Sequence, residues 1–196
     1  VNLWQHLGGN LNVQRTFRAN ESLSFSADYL YYNEINPITY DNRWSTPIGT
    51  PYKTQMLRSS KKTPITIAVA QLDYSRNVGK KTKMETGIKA VSSDFTNDIS
   101  LESLEGTFWY IDPEFSAKYK LKERILAAYS SFELSLNPKT TAKGGLRYEY
   151  TTSNLGSLEQ ANIVDRKYGR LFPSLFLSRT ISKESSLGMS YSRRII

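Results

Sequence analysis

Apolar and polar residues alternate along eight segments of this chain, most regularly in the sixth. The clearest is KGGLRYEYT, residues 143–151, in which Leu146, Tyr148 and Tyr150 share one parity and charged residues occupy the other. Because successive side chains of a β-strand point to opposite faces, this pattern predicts strands with one apolar and one charged face. The eight segments lie at about residues 5–17, 23–31, 65–78, 83–95, 124–136, 143–151, 171–181 and 186–195.

The connections between these segments alternate between short and long. Tight turns are expected near residues 19–20, 79–80, 138–139 and 183–184, and long connections at about residues 35–64, 97–122 and 153–170. In an up-and-down antiparallel sheet, all the tight turns then lie at one end and all the long loops at the other. This segregation is typical of outer-membrane barrels, whereas soluble β-sandwiches have shorter strands. The pattern predicts an all-β antiparallel up-and-down meander of about eight long strands, part of an outer-membrane β-barrel or a small complete one.

Composition excludes several classes of protein. Hydrophobic residues make up 39% of the 196 residues and no run reaches the length of a spanning helix. The 13 Tyr and 8 Phe favour β structure. The absence of cysteine excludes disulfides, thiolate metal sites and a cysteine nucleophile. The net charge of +8 comes from scattered basic residues that form no nucleic-acid motif, so no nucleic-acid partner is expected.

Candidate catalytic and metal-binding residues are few. His6 is the single histidine and lies in a terminal strand segment, where no partner for a catalytic triad is indicated. Asp94, Asn97 and Asp98 could offer oxygen ligands to calcium, but their spacing lacks the glycine and distal glutamate of an EF-hand. We therefore expect no catalytic residue, no metal site and no cofactor, and we predict that the protein is not an enzyme.

The second long connection carries a candidate ligand-contact loop in which carboxylates stand beside aromatic residues. Such a combination suits a sugar-binding platform, although an ordered loop or interfacial aromatics would also explain it. A soluble β-sandwich that binds carbohydrate is therefore an alternative reading of the chain. The residues of this loop are Glu105, Phe108, Trp109, Tyr110 and Asp112.

Strand parity assigns two opposite faces if the sheet is a barrel wall. The lumen-facing set is predicted to be Glu85, Lys89, Lys143, Arg147 and Glu149. The lipid-facing or aromatic-girdle set is predicted to be Tyr29, Tyr31, Leu146, Tyr148, Tyr150, Phe172, Leu187 and Met189. Residues 65–78 fit this scheme poorly, because the apolar residues 65, 67 and 69 share a parity with Gln71 and Asp73. A bulge, or an extension beyond the bilayer, would account for the change of face.

Five short motifs in order carry a resemblance to a known family. They are QLDYS at residues 71–75, ETGIK at 85–89, GLRYE at 145–149, LFPS at 171–174 and YSRRI at 191–195. The chain resembles the outer-membrane β-barrel family of Bacteroidetes, which is related to the barrels of TonB-dependent receptors. The match covers about residues 65–196. It implies a receptor or transporter barrel in the cell outer membrane that takes up ligand through long extracellular loops and a polar lumen.

The resemblance also implies how the chain relates to a whole barrel. In that family YSRRI is usually followed by further strands and a terminal aromatic residue, whereas this sequence stops at Ile196. Residues 1–196 are therefore expected to be a single barrel segment, a fragment without the plug domain. The implied partners are outer-membrane lipid, an unidentified small-molecule, glycan or peptide ligand, and an energy-coupling protein reached through absent segments. A complete small structural or adhesion barrel is the alternative.

Overall fold

The computed structural model describes residues 2–18 and 20–193, and these residues form nine strands in one antiparallel sheet. The spatial order follows the sequence, β1-β2-β3-β4-β6-β7-β8-β9, with β5 paired to the far end of β4. The all-β antiparallel meander is thus confirmed. The strands are β1 (Leu3–Arg18), β2 (Glu21–Ser45), β3 (Pro51–Val78), β4 (Thr82–Glu105), β5 (Phe108–Ile111), β6 (Ala117–Asn137), β7 (Thr140–Ser157), β8 (Val164–Thr180) and β9 (Ser186–Ser192).

The register allows each face of the sheet to be followed from strand to strand. Directly paired residues of antiparallel strands place their side chains on the same face. Tyr148, for example, pairs with Ala128 of β6 and with Leu171 of β8. Following this row and its neighbours defines an apolar face, which includes Leu7, Leu11, Phe25, Tyr29, Leu72, Ile88, Leu126, Leu146, Tyr148, Tyr150, Leu171, Leu175, Leu187 and Met189.

The opposite, polar face is the more crowded of the two. Leu126 and Leu146 on the apolar face are 61% and 51% exposed. Ala127 and Thr151, which are next to apolar-face residues in the chain but point the other way, are 6% and 3% exposed. These two are the buried residues among those the structure describes, so the sheet encloses no hydrophobic core. A soluble protein buries its apolar side chains and exposes polar ones; here the order is reversed.

The apolar residues form a band that crosses the strands at an angle. On β2 the band covers residues 23–31. Following the pairing from strand to strand, the residues of β8 at the same level are 173–165. The apolar-face residues of β8 cover instead residues 171–177. The centre of the band has therefore moved by about five residues, or ~17 Å, across five strand spacings of ~24 Å. This corresponds to a strand tilt of about 35°, within the range of transmembrane barrels.

The predicted long loops are wrong, because most of their residues are strand. β2 and β3 continue past the apolar band and are joined by residues 46–50 alone, and β7 and β8 are joined by residues 158–163. β4 likewise continues to Glu105 and folds back as β5. Backbone groups of a strand can pair in water as well as in lipid. Where a strand has water on both faces, its side chains need not alternate between apolar and polar. The periodic signal therefore ends before the strands do.

The tight turns are found where the sequence indicates them. β3 and β4 are joined by residues 79–81 with Gly79 at φ +75°, a left-handed conformation that glycine adopts at no steric cost. β6 and β7 are joined by residues 138–139, and β8 and β9 by residues 181–185. The turn after β1 includes Asn20 at φ +71°; its other residue, 19, lies outside the described residues, as do residues 194 and 195 of the YSRRI motif.

Candidate functional site

An ion-pair cluster occupies the polar face close to the tight turns. The Glu85 carboxylate of β4 lies 2.8 Å from the Lys143 ammonium of β7 and 2.6 Å from that of Lys83. Ser131, on the intervening strand β6, donates a hydrogen bond of 3.5 Å to the same carboxylate. The cluster crosses three strands, because Glu85 pairs with Ser131 and Lys143 lies on the same face two residues from the next register partner, Gly145. It links the strands through charge-assisted hydrogen bonds on the side away from the apolar band.

A second polar cluster surrounds Tyr129 of β6. The Tyr129 hydroxyl donates a hydrogen bond to Asp73, whose other carboxylate oxygen accepts one of 2.8 Å from Gln71. The Arg147 guanidinium lies 5.4 Å from the centre of the Tyr129 ring and also pairs with Glu149. The Tyr129 side chain reaches Asp73 across Gly87 of the intervening strand. These groups form a continuous surface of alternating donors and acceptors.

The structure brings the predicted lumen-facing residues together on the polar face. Glu85, Lys143, Arg147 and Glu149 belong to the clusters above, and Lys89 pairs in register with Gln71 and Ala127 of the same face. They are half-buried, not freely exposed. The arrangement can bind a polar or charged solute, since it offers ammonium, guanidinium, carboxylate and hydroxyl groups on one wall.

All but one of the predicted lipid-facing residues lie on the same face of the sheet. Tyr29, Tyr31, Leu146, Tyr148, Tyr150, Leu187 and Met189 all lie on the apolar face. Phe172 lies on the polar face, directly opposite Arg147, and its placement with the others must be corrected. Apolar residues occupy both parities of the LFPSLF segment, so composition could not decide which parity faces outward. Leu171 and Pro173 lie on the apolar face, because they pair with Tyr148 and Leu146.

An apolar patch on the polar face was not identified from the sequence. β3 keeps one register with β4 from Leu57 to Val78 without a bulge, so its apolar residues at 65, 67 and 69 stay on the side of Gln71. Ile65 pairs with Phe95, and Val69 pairs with Val91, which pairs in turn with Ile125. The polar face is therefore charged near the tight turns and apolar nearer the long hairpins. The sequence did indicate this patch, because residues 65, 67 and 69 have the same parity as Gln71 and Asp73.

The predicted ligand-contact loop is a hairpin formed by β4 and β5. Glu105 pairs with Phe108 and Leu104 with Trp109 across a turn at Gly106, whose φ is +64°. Parity places Glu105, Phe108 and Tyr110 on the polar side and Trp109 on the other, where the Arg58 guanidinium lies 4.4 Å from the Trp109 ring. The aromatic residues thus divide between two surfaces. Asp112 caps the next turn by accepting a hydrogen bond of 3.0 Å from the backbone of Glu114.

A hollow of about 380 Å³ lies beside this hairpin, between β4, β6 and the β7–β8 connection. Its lining combines Glu114 and Glu159 with Lys118, and apolar contacts come from Ile111 and Leu158. The neighbouring β2–β3 hairpin also carries charge near its tip. There the Arg43 guanidinium lies 2.5 Å from Asp41 and holds the pKa of that carboxyl below its ordinary value through hydrogen bonding. The hollow and the β2–β3 hairpin thus both carry acidic and basic side chains.

The residues considered for catalysis or calcium have other contacts. His6 stacks on Tyr32 with ring centres 4.6 Å apart. Asp94 pairs with Arg124 at 3.0 Å and Asp98 with Lys118 at 2.9 Å, while Asn97 points to the opposite face of β4. Among the residues that the structure describes, no three histidine or acidic side chains come together in a way that could hold a metal ion.

Comparison with known proteins identifies the family. The model of the outer membrane protein beta-barrel family matches residues 15–196. The chain belongs to this family. It is an outer-membrane protein, and its sheet is a wall of the kind that such barrels use. No helix within the described part of the chain is long and apolar enough to cross a membrane.

One solved structure similar to this family member is that of the ferric yersiniabactin uptake receptor FyuA from Yersinia pestis. The two share 12% sequence identity with a TM-score of 0.47, and the match covers 92% of this chain and 36% of the receptor. The chain therefore spans little more than a third of that receptor's length. No curated protein matches the chain.

Proposed function

We propose that the chain is part of the barrel wall of an outer-membrane receptor or transporter. The observation that carries this proposal is the reversed exposure of the two faces, apolar side chains outward and charged side chains half-buried on the other side. In a bilayer the apolar face contacts lipid and the polar face lines the lumen, so both faces meet a favourable solvent. The tilt of about 35° in the apolar band supports the same orientation.

The edges of the sheet support a larger barrel. In the described residues β1 pairs with β2 and β9 pairs with β8, and each has a free hydrogen-bonding edge on its other side. Lipid cannot satisfy such an edge, and each unpaired backbone group would cost several kcal/mol. Residues 1–196 are accordingly a single barrel segment, and further strands of a longer barrel pair with β1 and β9.

The role that follows is ligand uptake without catalysis. Glu105, Phe108 and Tyr110 of the β4–β5 hairpin, together with the 380 Å³ hollow beside them, give a ligand its first contacts outside the cell. The charged clusters around Glu85 and Arg147 then line the path through the lumen. The ligand is a small molecule, glycan or peptide, and energy coupling is supplied by a partner protein that acts through segments outside this chain.

Two adjacent residues allow a direct test, because the chain has no natural cysteine. Leu146→Cys and Arg147→Cys place a thiol on opposite faces of β7, and both can be treated in intact outer membranes with a membrane-impermeant maleimide. We expect the thiol at position 147 to react and the thiol at position 146 to be protected by lipid. Denaturation in detergent should make both reactive, which controls for expression and intrinsic reactivity.

Equal labelling of the two thiols in the membrane would overturn the assignment of faces. Preferential labelling at position 146 would reverse it. The pair Leu171→Cys and Phe172→Cys repeats the test on β8, where residue 171 lies on the apolar face and residue 172 on the polar face.

A further inference from the structure

Four basic side chains continue the apolar face of β6 beyond its last apolar residue. Lys118, Lys120, Lys122 and Arg124 share the parity of Leu126, and Arg124 is the first residue of that parity past it. All four are exposed. This basic row therefore points to the same side as the apolar band and begins where the band ends, on the side of the long hairpins.

The basic row is only partly neutralised. Lys118 and Arg124 pair with Asp98 and Asp94 of β4. Lys120 and Lys122 make no ion pair within 4.0 Å among the described residues; Lys120 stands between Thr96 and Gly156 of the adjacent strands. Lys122 stands opposite Asp94, whose carboxylate is already paired with Arg124, and Lys120 has no carboxylate opposite it.

A hollow of about 250 Å³ lies against these lysines. Lys118, Lys120 and Lys122 line one side of it, and the β7–β8 connection lines the other. Asn154 of β7 donates a hydrogen bond of 2.6 Å to the side chain of Asn162, which holds the connection against the strand. The backbone of the connection also lies against β7 here, since a β-carbon at Gly156 would be 3.5 Å from the backbone of Gln160 and Asn162. The lining of the hollow combines the three lysines with two asparagines and the small or apolar residues Gly156, Ser157, Leu158 and Ala161, and it contains no acidic residue.

We propose that this hollow binds the phosphate group of an anionic lipid in the outer leaflet. The proposal rests on the proposed function, since it requires the apolar face to contact lipid. Lysine stems can lie along the apolar surface while their ammonium groups reach the headgroup level. Basic side chains next to a membrane-spanning segment attract anionic headgroups. The lipid's acyl chains would then lie on the apolar face beside Leu126 and Tyr150.

Lipid binding to the natural-length protein in neutral detergent tests the proposal. Native mass spectrometry compares retention of dimyristoyl phosphatidic acid with that of dimyristoyl phosphatidylcholine. We expect the unmodified protein to prefer phosphatidic acid, and Lys120→Gln/Lys122→Gln to reduce that preference about fivefold or more. The matched control is Lys80→Gln/Lys81→Gln, which removes the same charge from the tight turn at the other end and should leave the preference unchanged.

Three results would overturn the proposal: no preference in the unmodified protein, an equal loss in the two double variants, or complete displacement of the lipid by inorganic phosphate. The last would show that the hollow takes a free anion. The cysteine pair on β7 separates this proposal from the proposed function. If the thiol at position 146 is protected and lipid binding does not depend on Lys120 and Lys122, the lipid site alone is refuted.

Discussion

At the scale of single residues, the face to which a side chain points determines its surroundings more than its residue type does. Leu146 and Arg147 are neighbours in the chain, yet one contacts the surroundings of the sheet and the other contacts the Tyr129 ring. Parity predicts which residues share a face wherever only one parity is apolar, as in β7. Parity does not predict the face of Phe172, because apolar residues occupy both parities there. The pairing with β7 decides which face its side chain takes.

A charge introduced at the centre of the apolar band should be costly. Leu146→Arg places a guanidinium on the apolar band, which faces lipid in the proposed function, and we expect a loss of about 2–4 kcal/mol in the free energy of unfolding. Urea unfolding in lipid vesicles measures it. Leu158→Arg is the control, because Leu158 is 82% exposed in the β7–β8 connection and should cost much less. Equal losses for the two variants would contradict the position of the band.

Gly87 leaves room for the Tyr129 side chain on the polar face. A β-carbon at Gly87 would lie 2.5 Å from the Tyr129 hydroxyl and 2.7 Å from Asp73, so Gly87→Ala should separate these groups. We expect a loss of about 1–3 kcal/mol in stability. Gly144→Ala is the control, since the nearest atom to its β-carbon would be 4.0 Å away. The loss should shrink in a Tyr129→Ala background; an unchanged loss there would show that the ring is not the cause.

At the scale of elements, the strands are longer than the apolar pattern that reveals them. β3 has 28 residues and β2 has 25, although the alternation on β2 covers residues 23–31 alone. The prediction of strand order and tight turns holds because turn residues such as Gly79 act locally. The prediction of loops fails because hairpin extension depends on pairing between distant residues.

The two ends of the hairpins should be found on opposite sides of the outer membrane. A peptide epitope inserted between residues 48 and 49, at the tip of the β2–β3 hairpin, should be detected by antibody on intact cells. The same epitope between residues 80 and 81, in the tight turn after β3, should be detected only after the outer membrane is permeabilised. Detection of the second epitope on intact cells, with the first hidden, would invert the topology.

At the scale of the whole molecule, water is an unfavourable solvent for the apolar face of the described sheet. Its apolar face is exposed and the described residues enclose no core, so the protein needs an amphiphile to cover that face. A soluble carbohydrate-binding sandwich would require a second packed sheet, and the described strands form one sheet. The family match and the sheet agree on an outer-membrane wall.

Removal of detergent should therefore abolish the folded monomer. We expect the natural-length protein to be monodisperse with a β-sheet circular dichroism spectrum in detergent, and to aggregate when the detergent is diluted below its critical micelle concentration. The exposed apolar band is the physical reason. Size-exclusion chromatography with light scattering measures both states. A folded, monodisperse monomer in plain buffer would contradict the contact between the apolar face and lipid.

The sequence by itself determined the strand-forming segments, their order, the tight turns and the two-faced character of β7, because alternation and turn chemistry are local. Tertiary structure alone decided the extended hairpins, the position of residue 171 rather than residue 172 on the apolar face, the apolar patch around Ile65 and the hollow beside the basic row. Each of these depends on which residues of a neighbouring strand lie opposite, and that register is set by long-range pairing along the whole sheet.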